Sequence, residues 1–144
     1  MKETDEKLLG LLASNARLST SELSRLLGLS RSTVQGRIKR LEKAGIIAGY
    51  TVEYGAEYRS RLVSAHVLIK TRQKLASRAN RDLHDFPEIR SLYAISGDYD
   101  LIAMVQAEST ESLSQVLDRI GDLEGVERTS SSVILETKFS RQGR

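Results

Sequence analysis

The tripeptide Gly28-Leu29-Ser30 constrains this chain more than any other stretch, because it ends one helix and begins the next with no residue to spare. Glycine at 28 can adopt the left-handed conformation that stops a helix, Leu29 can fold back onto the apolar side, and Ser30 can cap the following helix at once. Upstream, Ser19 and Glu22 stand at the spacing of a capping box, in which each side chain accepts one of the N–H groups that a helix start leaves unpaired. Leu23, Leu26 and Leu27 give that short helix one apolar side. Two helices around so tight a corner make a helix-turn-helix.

The second helix, about Arg31 to Ala44, carries the functional signal. At about 100° per residue, Val34, Ile38 and Leu41 share one side, while Ser32, Gln35, Gly36, Lys39 and Lys43 lie opposite or nearly so. Between Arg31 and Lys43 stand five Lys or Arg against one acid, Glu42. Such a helix can enter a DNA major groove, with its first turn at base edges and its flanks at phosphates. On this reading Arg31, Ser32 and Gln35 face bases, Thr33 and Gly36 belong to the same surface, and Arg37, Lys39, Arg40 and Lys43 position phosphates. Arg37 lies nearer the core side, so an anchoring role for it stays open. Gly36 costs the helix about 0.5 to 1 kcal/mol relative to alanine; either it allows close approach to DNA or it weakens the helix. For the helix taken alone, the bland alternative is a solvated amphipathic surface.

Charge agrees with the first alternative. Of the net charge of +3, all sits in residues 1–60, which hold 10 Lys/Arg against 7 Asp/Glu, whereas residues 61–144 hold 12 of each. A mildly basic chain permits nucleic acid without demanding it. The absence of cysteine removes disulfides, thiolate metal sites and thiol catalysis, and makes a cytoplasmic protein the simplest reading. No apolar run approaches the roughly 18 residues of a membrane span, and the first residues lack a signal peptide's apolar core, so no membrane partner is expected.

Taken in order, Thr4 or Asp5 can cap a first helix with Leu8, Leu11 and Leu12 at helical spacing, completing a three-helix unit. After Gly45, the β-formers Ile46, Ile47, Tyr50, Val52 and Tyr54 predict a short wing or connecting strand, whose tyrosines either reach DNA or pack between domains. Beyond it come a strand at Leu62–Thr71, a helix at Lys74–Asp85, strands at Ile89–Ser96 and Leu101–Ala107, a helix capped by Ser109, and a last strand over Val126–Phe139. The order βαββαβ is that of a ferredoxin-like domain, in which two helices cover one face of an antiparallel sheet. The fold class is therefore α+β: a helix-turn-helix domain at 1–50, a connecting strand or linker at 51–61, and a ferredoxin-like domain at 62–144.

That order leaves one sheet face without a helix, yet Leu101 to Val105 is apolar on both faces and Leu62 and Leu68 point away from Val63 and Val67. A second copy of the sheet is the simplest cover, which predicts a homodimer. Such a dimer places two reading helices on half-sites of a pseudo-palindrome about 34 to 36 Å apart.

Leu23, Gly28-Leu29-Ser30, Arg37, Leu41-Glu42, Gly45-Ile46-Ile47 and Gly49-Tyr50, followed by a βαββαβ domain with Gly97-Asp98-Tyr99-Asp100, resemble the Lrp/AsnC (feast/famine) transcription regulators over nearly the whole chain. The resemblance implies a winged helix-turn-helix on double-stranded DNA, dimers that pair through their sheets and often assemble into octamers, and control by a small molecule, usually an amino acid. It implies that Gly97, Asp98, Tyr99 and Asp100 lie near this effector. A glycine-containing turn offers N–H groups to a carboxylate, and an aspartate can accept from an ammonium; equally, the turn's aspartates can bond their own backbone. Thr129, Ser130, Ser131 and Ser132 either add hydroxyls to that pocket or serve as plain strand residues. No cofactor or metal is expected.

Two other readings stand. Some siroheme decarboxylases resemble this family in fold, and such an enzyme would draw on His66 or His84, although no paired catalytic constellation appears. An effector sensor without DNA binding is the third.

Overall fold

The computed structural model describes residues 1–140; residues 141–144, the end of the expected ferredoxin-like domain, lie outside the described residues. The chain divides into two compact units, Met1–Glu53 and Tyr54–Phe139.

The first unit is three helices, α1 (Glu3–Ser14), α2 (Thr20–Leu27) and α3 (Arg31–Lys43). Leu8, Leu23, Val34 and Leu41 are buried at its centre, at least one from each helix, with Leu11, Leu12, Leu29 and Ile38 packed around them. The capping box forms: the Glu22 N–H donates to Ser19 Oγ at 3.1 Å, and Glu22 Oε2 accepts from the Ser19 N–H at 2.7 Å. Gly28 is left-handed, with φ of 66°, and Ser30 caps α3 by accepting from the Thr33 N–H. The start of α1 differs from expectation. It begins at Glu3 without a side-chain cap from Thr4 or Asp5. Three acids in its first turn already complement the helix dipole, and the Asp5 carboxylate has other partners.

The strand expected after Gly45 does not form. Gly45 is left-handed, and the Ile46 and Ile47 N–H groups bond back to the Leu41 carbonyl, so the chain wraps the end of α3 instead of extending. Ile47 packs into the core, but Tyr50, Val52 and Tyr54 are exposed in backbone that pairs with no strand among the described residues. β-propensity without a partner strand does not make a sheet.

The second unit opens with a single turn, α4 (Ala56–Arg59), followed by β1 (Val63–Thr71), α5 (Ala76–His84), β2 (Ile89–Ala94), β3 (Leu101–Ala107), α6 (Thr110–Gly121) and β4 (Val126–Val133). The order across the antiparallel sheet is β2-β3-β1-β4, with the central pair supplied by the two apolar strands, as a ferredoxin-like fold requires. Ala65, Val67, Ile69, Ala103 and Val105 face a buried layer completed by Leu83 of α5 and Leu113, Val116 and Ile120 of α6. Beyond one-residue differences at the start of β1 and the end of α5, three boundaries move. The helix expected from Lys74 starts as a 3-10 turn at Gln73–Leu75, β2 stops at Ala94, and β4 stops at Val133 instead of Phe139. The last of these follows from register: β4 pairs with β1, which begins at Val63, and the Ile134 N–H to Ser64 carbonyl bond is the final rung.

The turn into β4 needs glycine for a reason of packing. A Cβ on Gly125 would lie 2.9 Å from both Ala79 Cβ and the Leu75 carbonyl oxygen. Arg72 holds the same turn, its N–H bonded to the Gly125 carbonyl at 2.8 Å and its Nε to the Glu124 carbonyl at 2.9 Å. Gly125→Ala is therefore expected to destabilise the protein by about 1 to 3 kcal/mol, the usual cost of forcing a methyl into packed space. Urea denaturation followed by circular dichroism measures this, and an unchanged midpoint would contradict it.

Candidate functional site

Two surfaces hold the residues singled out by the sequence, one in each unit. On α3, Arg31, Ser32, Thr33, Gln35, Gly36, Lys39, Arg40 and Lys43 are exposed, and only Arg37 is half-buried. The helix stands there because Val34 and Leu41 are buried against Leu8 and Leu23. Its basic groups are divided by one acid. Asp5 of α1 is buried, and its Oδ1 accepts from Arg37 at 2.8 Å and from Arg40 at 3.4 Å. Arg37 aims its guanidinium inward and is paired there with Asp5, the geometry of the anchoring alternative. Arg40 is more than half exposed and keeps donors free. The side chains of Arg31, Gln35, Lys39 and Lys43 have neither a hydrogen bond nor an ion pair to any described residue. Ser32 and Thr33 are partly engaged, with their hydroxyls 3.2 and 2.7 Å from Ser30 Oγ at the cap. Beyond the helix, Tyr50 Oη reaches Glu42 Oε1 at 3.4 Å, and burial followed by the Glu42 charge raises the phenol's pKa.

In the second unit, the turn between β2 and β3 is closed by the Ile95 N–H to Asp100 carbonyl bond and opened by Gly97, whose φ is 111°. Asp100 ties this turn to β1. Its Oδ2 accepts from the Thr71 N–H at 2.9 Å and the Thr71 hydroxyl at 3.1 Å, and Lys70 Nζ lies 3.7 Å from Oδ1. The Thr71 backbone bond, then its hydroxyl, holds the Asp100 carboxyl below the ordinary carboxylate range, and Lys70 adds to this. Asp98 is exposed with no partner among the described residues. The Arg128 guanidinium carbon sits 5.3 Å from the centroid of the Tyr99 ring, a cation–π contact.

The last strand does not gather its hydroxyls in one place. Thr129 and Ser131 oppose Ile69 and Val67 on the helix-covered side, whereas Ser130 and Ser132 oppose Leu68 and His66 on the open side. Only Thr129 is close to the turn, since its partner Ile69 accepts the Asp100 N–H through its carbonyl. Lys70, Thr71 and Arg128 were missed from the sequence. Their signal is the pairing of Lys70 with Arg128, which appears only once the register is known.

The open sheet face carries one apolar row and a mixed row beside it. Leu68, Ile102 and Tyr93 oppose one another across three strands, with His66, Met104 and Ser91 in the next row. His66 belongs to this face, whereas His84 ends α5 on the opposite, helix-covered side, so the sheet separates the two histidines.

Two family models match: a winged helix-turn-helix DNA-binding model over residues 1–48 and the Lrp/AsnC ligand binding domain over residues 64–143. The chain is 32% identical over 136 residues to the HTH-type transcriptional regulator FL11 of Pyrococcus furiosus, covering 94% of this chain and 90% of that protein. Among solved structures, the leucine response regulatory protein of Mycobacterium tuberculosis is 34% identical with a TM-score of 0.83, over 99% of this chain and 98% of that one. A feast or famine regulatory protein from M. tuberculosis, complexed with L-methionine, is 33% identical with a TM-score of 0.88, over 99% of this chain and 97% of that one.

The buried ion pair makes a pH prediction. The hydrogen bond from Arg37 holds the Asp5 carboxyl below its ordinary range, against the opposing effect of burial, while the charges of Arg37, Arg40 and Lys2 lower it further. A depressed folded pKa gives stability that is full above the unfolded value of about 4 and is lost as pH falls through the folded value. Asp5→Asn is expected to lower the Tm at pH 7 and to lose less Tm than wild type between pH 7 and pH 3. Scanning calorimetry at both pH values checks this; equal acid losses would contradict it.

Proposed function

This chain belongs to the Lrp/AsnC family and is a transcriptional regulator with a DNA-binding helix-turn-helix and a ligand-binding domain; on that premise we propose how it works. Two copies pair through the open sheet face and present two α3 helices to a pseudo-palindromic site, and a small molecule, in the first instance an amino acid, modulates assembly or DNA binding. The observation that carries the DNA reading is the division of charge on α3: Asp5 engages the inner guanidinium of Arg37, while Arg31, Gln35, Lys39 and Lys43 stand exposed without partners among the described residues. Arg31, Ser32 and Gln35 address bases. Lys39, Arg40 and Lys43 hold phosphates, and Arg37 positions the helix.

Pairing is supported by the half-buried Leu68, Ile102 and Met104 on a face that neither α5 nor α6 covers. An apolar face of this kind is stabilised by a second copy, and dimers assemble further, up to an octamer as in the family pattern. For the effector, the turn at Gly97 to Asp100 has the complementary charges that an amino acid requires. Arg128 and Lys70 are cations for its carboxylate, and the free Asp98 carboxylate suits its ammonium. The structure with L-methionine supports that ligand class. Thr129 belongs beside this turn, whereas Ser130 and Ser131 point to different faces and contribute little there. The exposed His66 and His84 lie on opposite sides of the sheet, which favours the regulator over the enzyme reading.

Two substitutions test the assignment of α3. Gln35→Ala is expected to change which duplexes are preferred. Lys39→Ala is expected to weaken all duplexes alike and to flatten the dependence of log K on log salt by about one phosphate contact. Fluorescence anisotropy over a set of duplexes, each titrated at several salt concentrations, distinguishes these effects. Equal losses on every sequence for both variants would overturn the division of labour, and a wild type indifferent to salt would favour the sensor without DNA binding.

A further inference from the structure

We propose that Gly36 is a specificity-determining residue: the absence of a side chain there lets the middle of α3 settle closer to the floor of a DNA groove. The inference rests on the reading of α3 as the DNA-contacting helix and goes beyond it by assigning a role to a missing side chain.

Glycine inside a helix is unfavourable, because it loses more backbone freedom on folding than any other residue. Three features inside a fold can require it there. The first is a positive φ, which Gly28, Gly45 and Gly97 adopt and Gly36 does not. The second is close packing, as at Gly125; at Gly36 an added Cβ would meet nothing within 4 Å. The third is a break or terminus, yet α3 runs unbroken from Arg31 to Lys43 with Gly36 inside it. None of the three applies.

Nothing inside this unit uses the missing side chain at 36, and what sets Gly36 apart from other open helical positions is the side to which it points. That side is the one bearing Ser32 a turn earlier and Lys39 and Lys43 later, all exposed. The long side chains there are flexible and can swing to phosphates, so the bare Cα at 36 is the low point of the surface. Base edges and thymine methyl groups lie at the floor of the major groove. A methyl at 36 would be aimed at that floor and would hold the helix away from it, lengthening the base contacts of Ser32 and Gln35. Phosphate contacts, made by flexible lysines, adapt to such a displacement.

The chain supplies its own control. Gly10 lies inside α1, is exposed, and likewise has open space where a Cβ would go. Both glycines weaken their helices; only one lies on the reading surface.

The test measures thermal melting and DNA binding of the full chain carrying Gly36→Ala, Gly36→Leu or Gly10→Ala. The probes are the duplex that wild type binds most tightly and a random-sequence duplex. Both alanine variants are expected to melt a few degrees higher, from improved helix propensity. Gly36→Ala is expected to weaken the preferred duplex on the order of tenfold, and Gly36→Leu on the order of a hundredfold, the scale of one or two mismatched base contacts. Random DNA, held through phosphates, is expected to bind as before, and Gly10→Ala to bind both duplexes like wild type. Wild-type affinity of both Gly36 variants for the preferred duplex would overturn the inference, as would equal losses on the two duplexes. A wild type that prefers no duplex would overturn the reading of α3 itself and this inference with it, so the two failures are distinguishable.

Discussion

The first unit depends on where Asp5 sends its charge. A buried carboxylate is tolerated only when paired and hydrogen-bonded, and here Arg37 and Arg40 supply the partners across the joint between α1 and α3. The geometry cuts both ways. It fixes the rotation of α3 about its own axis, and it consumes the inward-facing cation so that the helix does not bury an unpaired guanidinium. What remains, Arg31, Lys39 and Lys43, points outward.

In the second unit the corresponding constraint is the two-residue alternation of the strands. On β1 and β3 every second residue is buried against α5 and α6, and among the residues between them Leu68, Ile102 and Met104 are apolar although no helix covers them. The apolar side chains on this second face are the basis of the proposed pairing of two copies. Asp100 adds a second constraint, because its bonds to Thr71 fasten the β2–β3 turn to the end of β1 and bring Lys70 and Arg128 beside it.

Local chemistry made much of this legible in the sequence. The Ser19–Glu22 capping box, the left-handed Gly28, the Ser30 cap and the alternation of β1 and β3 are all decided by residues within a few positions of each other, and all appear where expected. Features decided at a distance were not legible. Asp5 reads as a cap until Arg37, 32 residues later, is seen to take its carboxylate. Ile46 to Tyr54 read as a strand because propensity says nothing about the partner a strand requires. Val126 to Phe139 read as one long strand, but its length is set by where β1 begins. The same limit governs the candidate ligand site. The turn was found by its Gly-Asp-Tyr-Asp sequence, whereas Lys70 and Arg128 join it only through a register that shifts at Lys70 and Thr71.

The proposed dimer joins a reading helix to a pairing sheet, so that two symmetry-related copies read the DNA. The most direct test is selection of bound sequences from a random duplex pool at moderate salt, using the full chain. The predicted result is enrichment of an inverted repeat whose half-site centres lie about one helical turn, roughly 34 to 36 Å, apart or a multiple of it. Enrichment of a lone half-site, or of no sequence, would contradict the claim, because paired sheets would then have no counterpart in the DNA.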